Sequence, residues 1–474
     1  MKRMHYTDII TVLDRKAKLS KYISLDAFTM SDLNGKISIK PRSITSNGLP
    51  AKTLSCGRDK SLTHRAVIFG SMASGHSTIH HALLGADCWA TIHAFRALGV
   101  SIKVDQTHQT IDIVSNGMAA FTSPQSALDC ANSGTTARLL IGLLAGIDGL
   151  EVCLIGDESL SKRPMDRVIK PLQAMGASIE ANGPKGYMPV KIKGKKLHSA
   201  EIEVAKASAQ VKSAILLAAA NTHGTTSIKL PVGSRDHTER FLRDHGVHCK
   251  IEQTETWEKL SITGPIDQLP AIDVAIPVDP SSTAFFAVLC AIHPATKLTL
   301  ADTLANETRL GYVKVLKRMG LNVTSTPSKT TFIEAAVNLN LYSSQNLLGT
   351  KISQSEIPTL IDEIPVLAIA AAFAKSESEF EGLQELRVKE SDRLEKTYEL
   401  LTLAGAEASI KGDKLLIKGG LSVAKPFTFD PANDHRLAMA AAIIATRSSG
   451  ECQILNPQCV NVSFPGFFDV LTSL

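Results

Sequence analysis

The chain has 474 residues, 44% of them hydrophobic and 5% aromatic, with 31 glycines and a formal net charge of +5. That length exceeds what one hydrophobic core organises and predicts two domains of about 200 to 250 residues each, while so small a charge gives no reason to expect nucleic acid as a partner. The eight cysteines, at positions 56, 88, 130, 153, 249, 290, 452 and 459, form neither a C-x-x-C pair nor a Cys/His group at zinc spacing, so the expectation is reduced thiols, no metal and a cytoplasmic protein.

Met1 to about Met30 holds basic residues around one short apolar run, Ile9 to Leu13. It reads as neither a signal peptide nor a membrane span, and no later stretch approaches about 18 uncharged apolar residues. Residues 1–30 are taken as an extension, and Pro41 to Ala51 likewise carry no assignable function. The first strong signal is Asp59-Lys60-Ser61-Leu62-Thr63-His64-Arg65, directly before the apolar run Ala66-Val67-Ile68-Phe69. The first backbone N–H groups of a helix have no intrahelical partner and carry the positive end of its dipole, so Lys60, Ser61 and Arg65 add donors where an anion is already favoured. A capped helix with a solvated basic face would read the same way in isolation.

Recurrence decides between the two. Similar polar openings stand at Ser133-Gly134-Thr135-Thr136, Ser208-Ala209-Gln210, Asp279-Pro280-Ser281-Ser282, Asp362-Glu363 and Asp434-His435-Arg436, spaced about 72 to 81 residues apart. Each precedes a small-residue helix and a β-like run. In most units a second helix then stops at a glycine: Gly99, Gly176, Gly246, Gly320 and Gly405. The period predicts six units, three to a lobe, with their helix starts converging on one site.

Between these starts, residues 156–165 (GDESLSKRPM) place Lys162 and Arg163 beside Pro164, where an arginine can grip a phosphate or carboxylate through two donors. In SRDHTER (234–240), Arg235 reads as a ligand contact and Glu239-Arg240 as a surface pair. Asp362-Glu363 opens a helix among anion-binding arginines, which suggests proton transfer as well as capping. In LRVKESDRL (386–394) Glu390 lies within helical reach of cations and should stay ionised. Asp434-His435-Arg436 reads first as a capped core helix with a hydrogen-bonded histidine. Neither G-x-x-x-x-G-K-[ST] nor a strand-borne G-x-G-x-x-G is present, which disfavours nucleotides.

In order and spacing, GDESLSKRPM, SAQVKSAILLA (208–218), SRDHTER, DPSSTAFF (279–286), LIDEIPVLAIAAAFA (360–374), ELRVKESDRL (385–394), DHRLAMAAA (434–442) and VSFPGFF (462–468) resemble the 5-enolpyruvylshikimate-3-phosphate synthase family, from about Asp59 to Leu471. The resemblance implies an α/β fold of two lobes, each of three βαβαββ units in an inside-out barrel arrangement. One lobe would cover 60–270 and the other 31–59 plus 271–474. It implies transfer of the carboxyvinyl group of phosphoenolpyruvate to the 5-hydroxyl of shikimate 3-phosphate by a monomer without metal or organic cofactor, and competition by glyphosate. Mapped onto this sequence, Lys60, Asp362 and Glu390 would be catalytic. Ser61, Arg65, Ser208, Ala209, Gln210, Arg235, Asp362 and Lys389 would hold shikimate 3-phosphate, and Lys60, Gly134, Arg163, Gln210, Arg393 and Arg436 would hold phosphoenolpyruvate. The chain departs from the family at Gly57-Arg58, where Pro-Gly or Pro-Ser is usual, at Ala131 for glycine, at Ala209 for the serine of some members, and at Val462 for the lysine of others. Two alternatives remain at this point: the fold-related UDP-N-acetylglucosamine enolpyruvyl transferases, which use a Lys-Asn pair where this chain has Lys60-Ser61, and a non-catalytic anion-binding descendant.

Overall fold

The computed structural model describes residues 23–24, 28–33, 35–41, 49–266, 268–344 and 346–474. Residues 1–22 and 25–27 of the expected extension, and residues 42–48 between Pro41 and Ala51, lie outside the described residues.

Six helices rich in small and aliphatic residues form the interior: Lys60–Met72, Gly134–Ala145, Ala209–Ala219, Pro280–Ile292, Ile364–Phe373 and His435–Ala445. A helix apolar on every face is stable only when covered all round, and nearly every residue of the six is buried. Five begin at the expected caps: the side chains of Asp59, Ser133, Ser208, Asp279 and Asp434 each accept a backbone N–H of the first turn. The Ile364–Phe373 helix instead continues a 3-10 turn over Ile361–Glu363 and carries Pro365 in its first turn, where a missing N–H leaves no bond unmade. The second helices of the units stop at Gly99, Gly176, Gly246, Gly320 and Gly405, all with φ between 79° and 108°, the left-handed region that glycine enters without strain.

The strands form six sheets. In the second unit, Leu128–Asp129 pairs parallel with Glu151–Ile155, which pairs antiparallel with Tyr187–Lys193, which pairs antiparallel with Ser178–Asn182. The same spatial order recurs in every unit, with two exchanges that join the lobes. Lys52–Leu54 is the first strand of the fourth sheet, parallel to Lys297–Leu304, and Asp273–Ala275 is the first strand of the first sheet, parallel to Ser74–His80. The chain therefore crosses twice, the second time after the Asp273–Ala275 strand. The sixth sheet is completed by the N-terminal hairpin: Thr428–Phe429 pairs parallel with Cys452–Leu455, then come Lys36–Pro41 and Phe28–Leu33, both antiparallel. With Ile39 opposite Cys452 and Ile37 opposite Ile454, both isoleucines face the core, and a slip of one residue would turn them to solvent.

Two hydrophobic clusters result, one from Leu62 to Ile276 with Leu304, the other from Ile37 to Cys56 and Val278 to Leu474. At the crossings the two chain segments pair with each other. The Asp59 N–H donates to the Pro277 carbonyl and the Asp279 N–H to the Gly57 carbonyl, each at 2.9 Å. Buried Arg309 donates to both cap residues, to Asp59 at 2.9 Å and Asp279 at 2.6 Å. A Cβ at Gly57 would stand 3.0 Å from the Phe464 ring, so glycine fits the tight spot ahead of the first helix. No helix among the described residues is long and apolar enough to cross a membrane.

Candidate active site

Starts of several interior helices, and the loops beside them, meet those of the opposite lobe. Lys60, first residue of its helix, directs its ammonium to Asp87 at 2.8 Å, and its backbone N–H donates to Asp279 at 3.3 Å. Burial alone would lower the Lys60 pKa, but Asp87 and Glu390 outweigh it and leave the amine more firmly protonated than usual. Arg163 is fixed on the same side by Asn132, whose side-chain carbonyl accepts at 2.7 Å, and by Ser159 at 3.1 Å.

Glu390 lies between the lobes. Its carboxylate is 2.6 Å from Arg393 on its own segment and 3.9 Å from Arg163 of the other lobe, and its backbone carbonyl accepts from Ser159 at 3.3 Å. Burial would raise its pKa, yet Arg393, Arg163, His435 and Lys60 hold it well below the usual carboxylate range. Asp362 has a similar environment. Arg235 of the opposite lobe approaches to 2.6 Å, Arg393 to 3.0 Å, Lys389 to 3.4 Å and Arg436 to 3.7 Å. Against the effect of burial, Arg436, Lys389, Arg235 and Arg393 depress its pKa strongly. Lys389 is itself lowered, by burial first and with Arg393 adding, although Asp362 opposes the shift.

The remaining expected residues are placed as follows. Gln210 accepts from Arg138 at 2.7 Å and donates to Thr135 at 3.1 Å. Gly134 opens its helix beside two arginines: a Cβ there would meet Arg138 Nη1 at 2.7 Å and Arg163 Nη1 at 3.5 Å. Ser208 caps and Ala209 begins the third helix. Arg65 donates to Thr238, Ser213 and the Ser61 carbonyl within its own lobe, and burial lowers its pKa to about 10. The structure thus joins Lys60, Arg163, Arg235, Asp362, Lys389, Glu390, Arg393 and Arg436 through direct contacts or the fields acting on one another. Ser61, Arg65, Ser208 and Ala209 stand at or near the starts of the Lys60–Met72 and Ala209–Ala219 helices, and among the described residues none of them bonds to the opposite lobe.

Four neighbours of these residues were not among the expected site residues. Arg138, buried one turn after Gly134, has its pKa lowered to about 9 by burial and by Arg167 and Arg163, so it stays cationic at neutral pH. Asp87 pairs with Lys60. Asp434, besides capping its helix, accepts from Arg393 at 2.7 and 3.2 Å and orients it. His435 is fully buried, with both ring nitrogens unpaired and a pKa held far down by burial, Lys60 and Arg436; the expectation of a hydrogen-bonded structural histidine does not hold. One signal was available for Arg138, an arginine at helical spacing from Gly134. Glu239 also corrects an expectation: it is buried against Lys212, not paired with Arg240 at the surface, and Arg240 binds Asp236 instead.

Seven cationic side chains, Lys60, Arg138, Arg163, Arg235, Lys389, Arg393 and Arg436, thus surround five carboxylates, Asp87, Asp362, Glu363, Glu390 and Asp434. That excess favours ligands carrying several negative charges. The model of EPSP synthase (3-phosphoshikimate 1-carboxyvinyltransferase) matches residues 50–471. The chain belongs to the EPSP synthase family. It is 41% identical to the 3-phosphoshikimate 1-carboxyvinyltransferase of Caldicellulosiruptor bescii, over 88% of this chain and 94% of the relative, and 40% identical to that of Bacillus cereus, over 92% and 100%. A solved EPSP synthase from Acinetobacter baumannii superposes with a TM-score of 0.80 at 36% identity, covering 93% of this chain and 98% of that one. The enolpyruvyl transferase NikO from Streptomyces tendae, at 16% identity and a TM-score of 0.71, shares the fold.

Two departures from the EPSP synthase pattern acquire physical meaning. Ala131 adopts φ 49°, a left-handed backbone that the usual glycine would enter freely and that costs an alanine about 1 kcal/mol. Arg58 bridges antiparallel to Val278, so the loop ahead of Lys60 is held by the second crossing instead of by a proline.

Proposed function

We propose that the protein transfers the enolpyruvyl group of phosphoenolpyruvate to the 5-hydroxyl of shikimate 3-phosphate and releases inorganic phosphate, the step that leads toward chorismate and the aromatic amino acids. The observation that carries this reading is the junction at Glu390, where an ionised carboxylate stands between Arg163 of one lobe and Arg393 of the other, with Lys60 in its field. Arg163, Arg393, Arg436, Gly134 and Lys60 receive phosphoenolpyruvate. Ser61, Arg65, Ser208, Ala209, Arg235 and Lys389 receive shikimate 3-phosphate, and Gln210 lies between the two.

The chemistry follows from charge. Without ligands, arginines hold Asp362 and Glu390 ionised. When two polyanions bind, their carboxylate and phosphate oxygens take over those guanidinium donors, which relaxes the hold on both carboxyls and raises their pKa values toward the working range. Asp362 then accepts the proton of the attacking 5-hydroxyl as the C–O bond forms at C2 of phosphoenolpyruvate, while Glu390, protonated once its pKa has risen, delivers its proton to C3 and is left as the carboxylate. In the second step Glu390 removes a proton from C3, the double bond re-forms and the C–O bond to phosphate breaks, with Lys60 neutralising the departing oxygen. Proton transfers of this kind contribute about 10² to 10⁴ each in rate.

The proposed lobe division is 60–270 against 31–59 plus 271–474, with the Asp273–Ala275 strand lent to the first sheet and the paired crossings acting as a hinge. One chain supplies every residue of the site, as a monomeric enzyme requires. Eight unpaired cysteines, seven of them buried, suit a reducing compartment, and we place the protein in the cytoplasm. The test is phosphate release with each substrate alone and with both. Release should require both; none at saturation would end the transferase reading.

A further inference from the structure

Glu385 begins the segment that carries Lys389, Glu390 and Arg393, yet its side chain turns away from the centre and toward the opposite lobe. One carboxylate oxygen lies 3.1 Å from Arg167 Nη1 and the other 2.9 Å from Lys206 Nζ. Arg167 stands in the helix Asp166–Ala174 and Lys206 just before the helix Ala209–Ala219, so one carboxylate is gripped by two neighbouring units of the other lobe. Burial would raise the Glu385 pKa, but Lys206 and Arg167 together lower it, keeping the charge in place at neutral pH. Arg167 follows Arg163 by four residues, and Glu385 precedes Glu390 by five. The contacts Arg163 to Glu390 and Arg167 to Glu385 therefore run between the same two segments. One meets at the reacting centre and the other at its half-exposed rim.

We propose that Glu385 is a positioning residue, a two-cation latch between the lobes that brings Glu390 to Arg163. It touches no reacting atom. Its effect is on the closed arrangement in which both substrates are held. Two half-exposed ion pairs of this kind should shift closure, and hence apparent affinity, by about three- to tenfold.

For its kinetic readout the proposal rests on the transferase reading. The experiment uses the full chain with Glu385→Gln, Glu385→Arg and Glu385→Arg combined with Arg167→Glu. Glu385→Gln should raise KM for both substrates about three- to tenfold while kcat stays within about twofold, with an unchanged melting temperature. Glu385→Arg should lose more, and the added Arg167→Glu should restore part of that loss. X-ray scattering of the substrate-free proteins supplies a second readout independent of turnover: Glu385→Arg should have a larger radius of gyration than the wild type. An unaltered KM in Glu385→Gln, a fall in kcat alone, or superimposable scattering curves would each overturn the latch. Wild-type protein that releases no phosphate would overturn the transferase reading instead, and the latch would then be judged by scattering.

Discussion

Glu390 is the side chain whose environment matters most at the residue scale. Four positive or polarisable neighbours act on it, and its Oε2 sits 2.6 Å from Arg393 as an ion pair rather than an aligned hydrogen bond. Glu390→Gln keeps the volume and removes the exchangeable carboxylate. Turnover should fall by about 10³-fold or more, the loss of a proton-transfer group in a preorganised site, while the Kd for shikimate 3-phosphate, measured by calorimetry, stays within about threefold. An equal loss of binding would mark Glu390 as a scaffold residue. The sequence pattern placed Glu390 among cations and implied its ionisation, because neighbours along one segment are legible from spacing. His435 and Asp87 were not legible in this way. A histidine at a helix start and an aspartate in the first turn of another look like ordinary caps, and only the packing of separate units shows that one lies unpaired beside Lys60's charge and the other holds its ammonium.

At the scale of elements, the two helices that follow the crossings share one clamp. Asp59 and Asp279 cap the helices Lys60–Met72 and Pro280–Ile292, and Arg309 binds both carboxylates in a fully buried setting. The pair is unequal: burial and Asp279 raise the Asp59 pKa, while Arg309 and Arg436 bring Asp279 below its ordinary value despite burial. Replacing Arg309 with Met would leave two buried acids facing each other without the guanidinium that binds both, with Arg436 acting on Asp279 only through its field. The variant should lose about 3 to 5 kcal/mol in urea unfolding, and Arg309→Lys should recover part of it. A loss under about 1 kcal/mol would mean that water or a neighbouring cation replaces the guanidinium. The caps themselves were legible, since Asp or Ser before an apolar run is a local signal, as were the stopping glycines. The sixth sheet was not. Its third and fourth strands lie at residues 28–41, their partner at 452–455, and no local pattern records a pairing across nearly the whole chain. The place of the Asp273–Ala275 strand in the first sheet was likewise hidden, because three residues carry too little periodicity to reveal which sheet they join.

For the molecule as a whole, closure concentrates charge between two apolar cores, and several titratable groups are buried in the form they cannot keep on unfolding. His64, His293 and His435 are buried with pKa values well below normal, chiefly through desolvation, His293 reaching about 3. Four of their six ring nitrogens have no partner, and burial opposes adding a proton to all three rings, with Glu390 only partly offsetting it at His435. The sign follows directly: below the ordinary histidine value the unfolded chain binds these protons and the folded chain does not, so stability is full above about pH 6.5 and falls as pH decreases. Each such histidine contributes a limiting slope of about 1.4 kcal/mol per pH unit. His64 belongs to the 60–270 lobe and the other two to its partner, so two lobes that melt separately should respond unequally. The transition of the lobe holding His293 and His435 should approach about 2.8 kcal/mol per pH unit, while that of the other lobe combines His64 with lesser contributions from His81 and His93, whose pKa values burial also lowers. Urea titrations from pH 7.5 to 5.0 read this window, below which Asp362 and Glu390 add to the loss while Asp59 and Glu363 oppose it. His435→Asn should remove one proton from the slope of its lobe and leave the other lobe's unchanged. A slope indifferent to that substitution would mean that His435 already carries its proton in the folded site, where it would add a further positive charge to the phosphoenolpyruvate side.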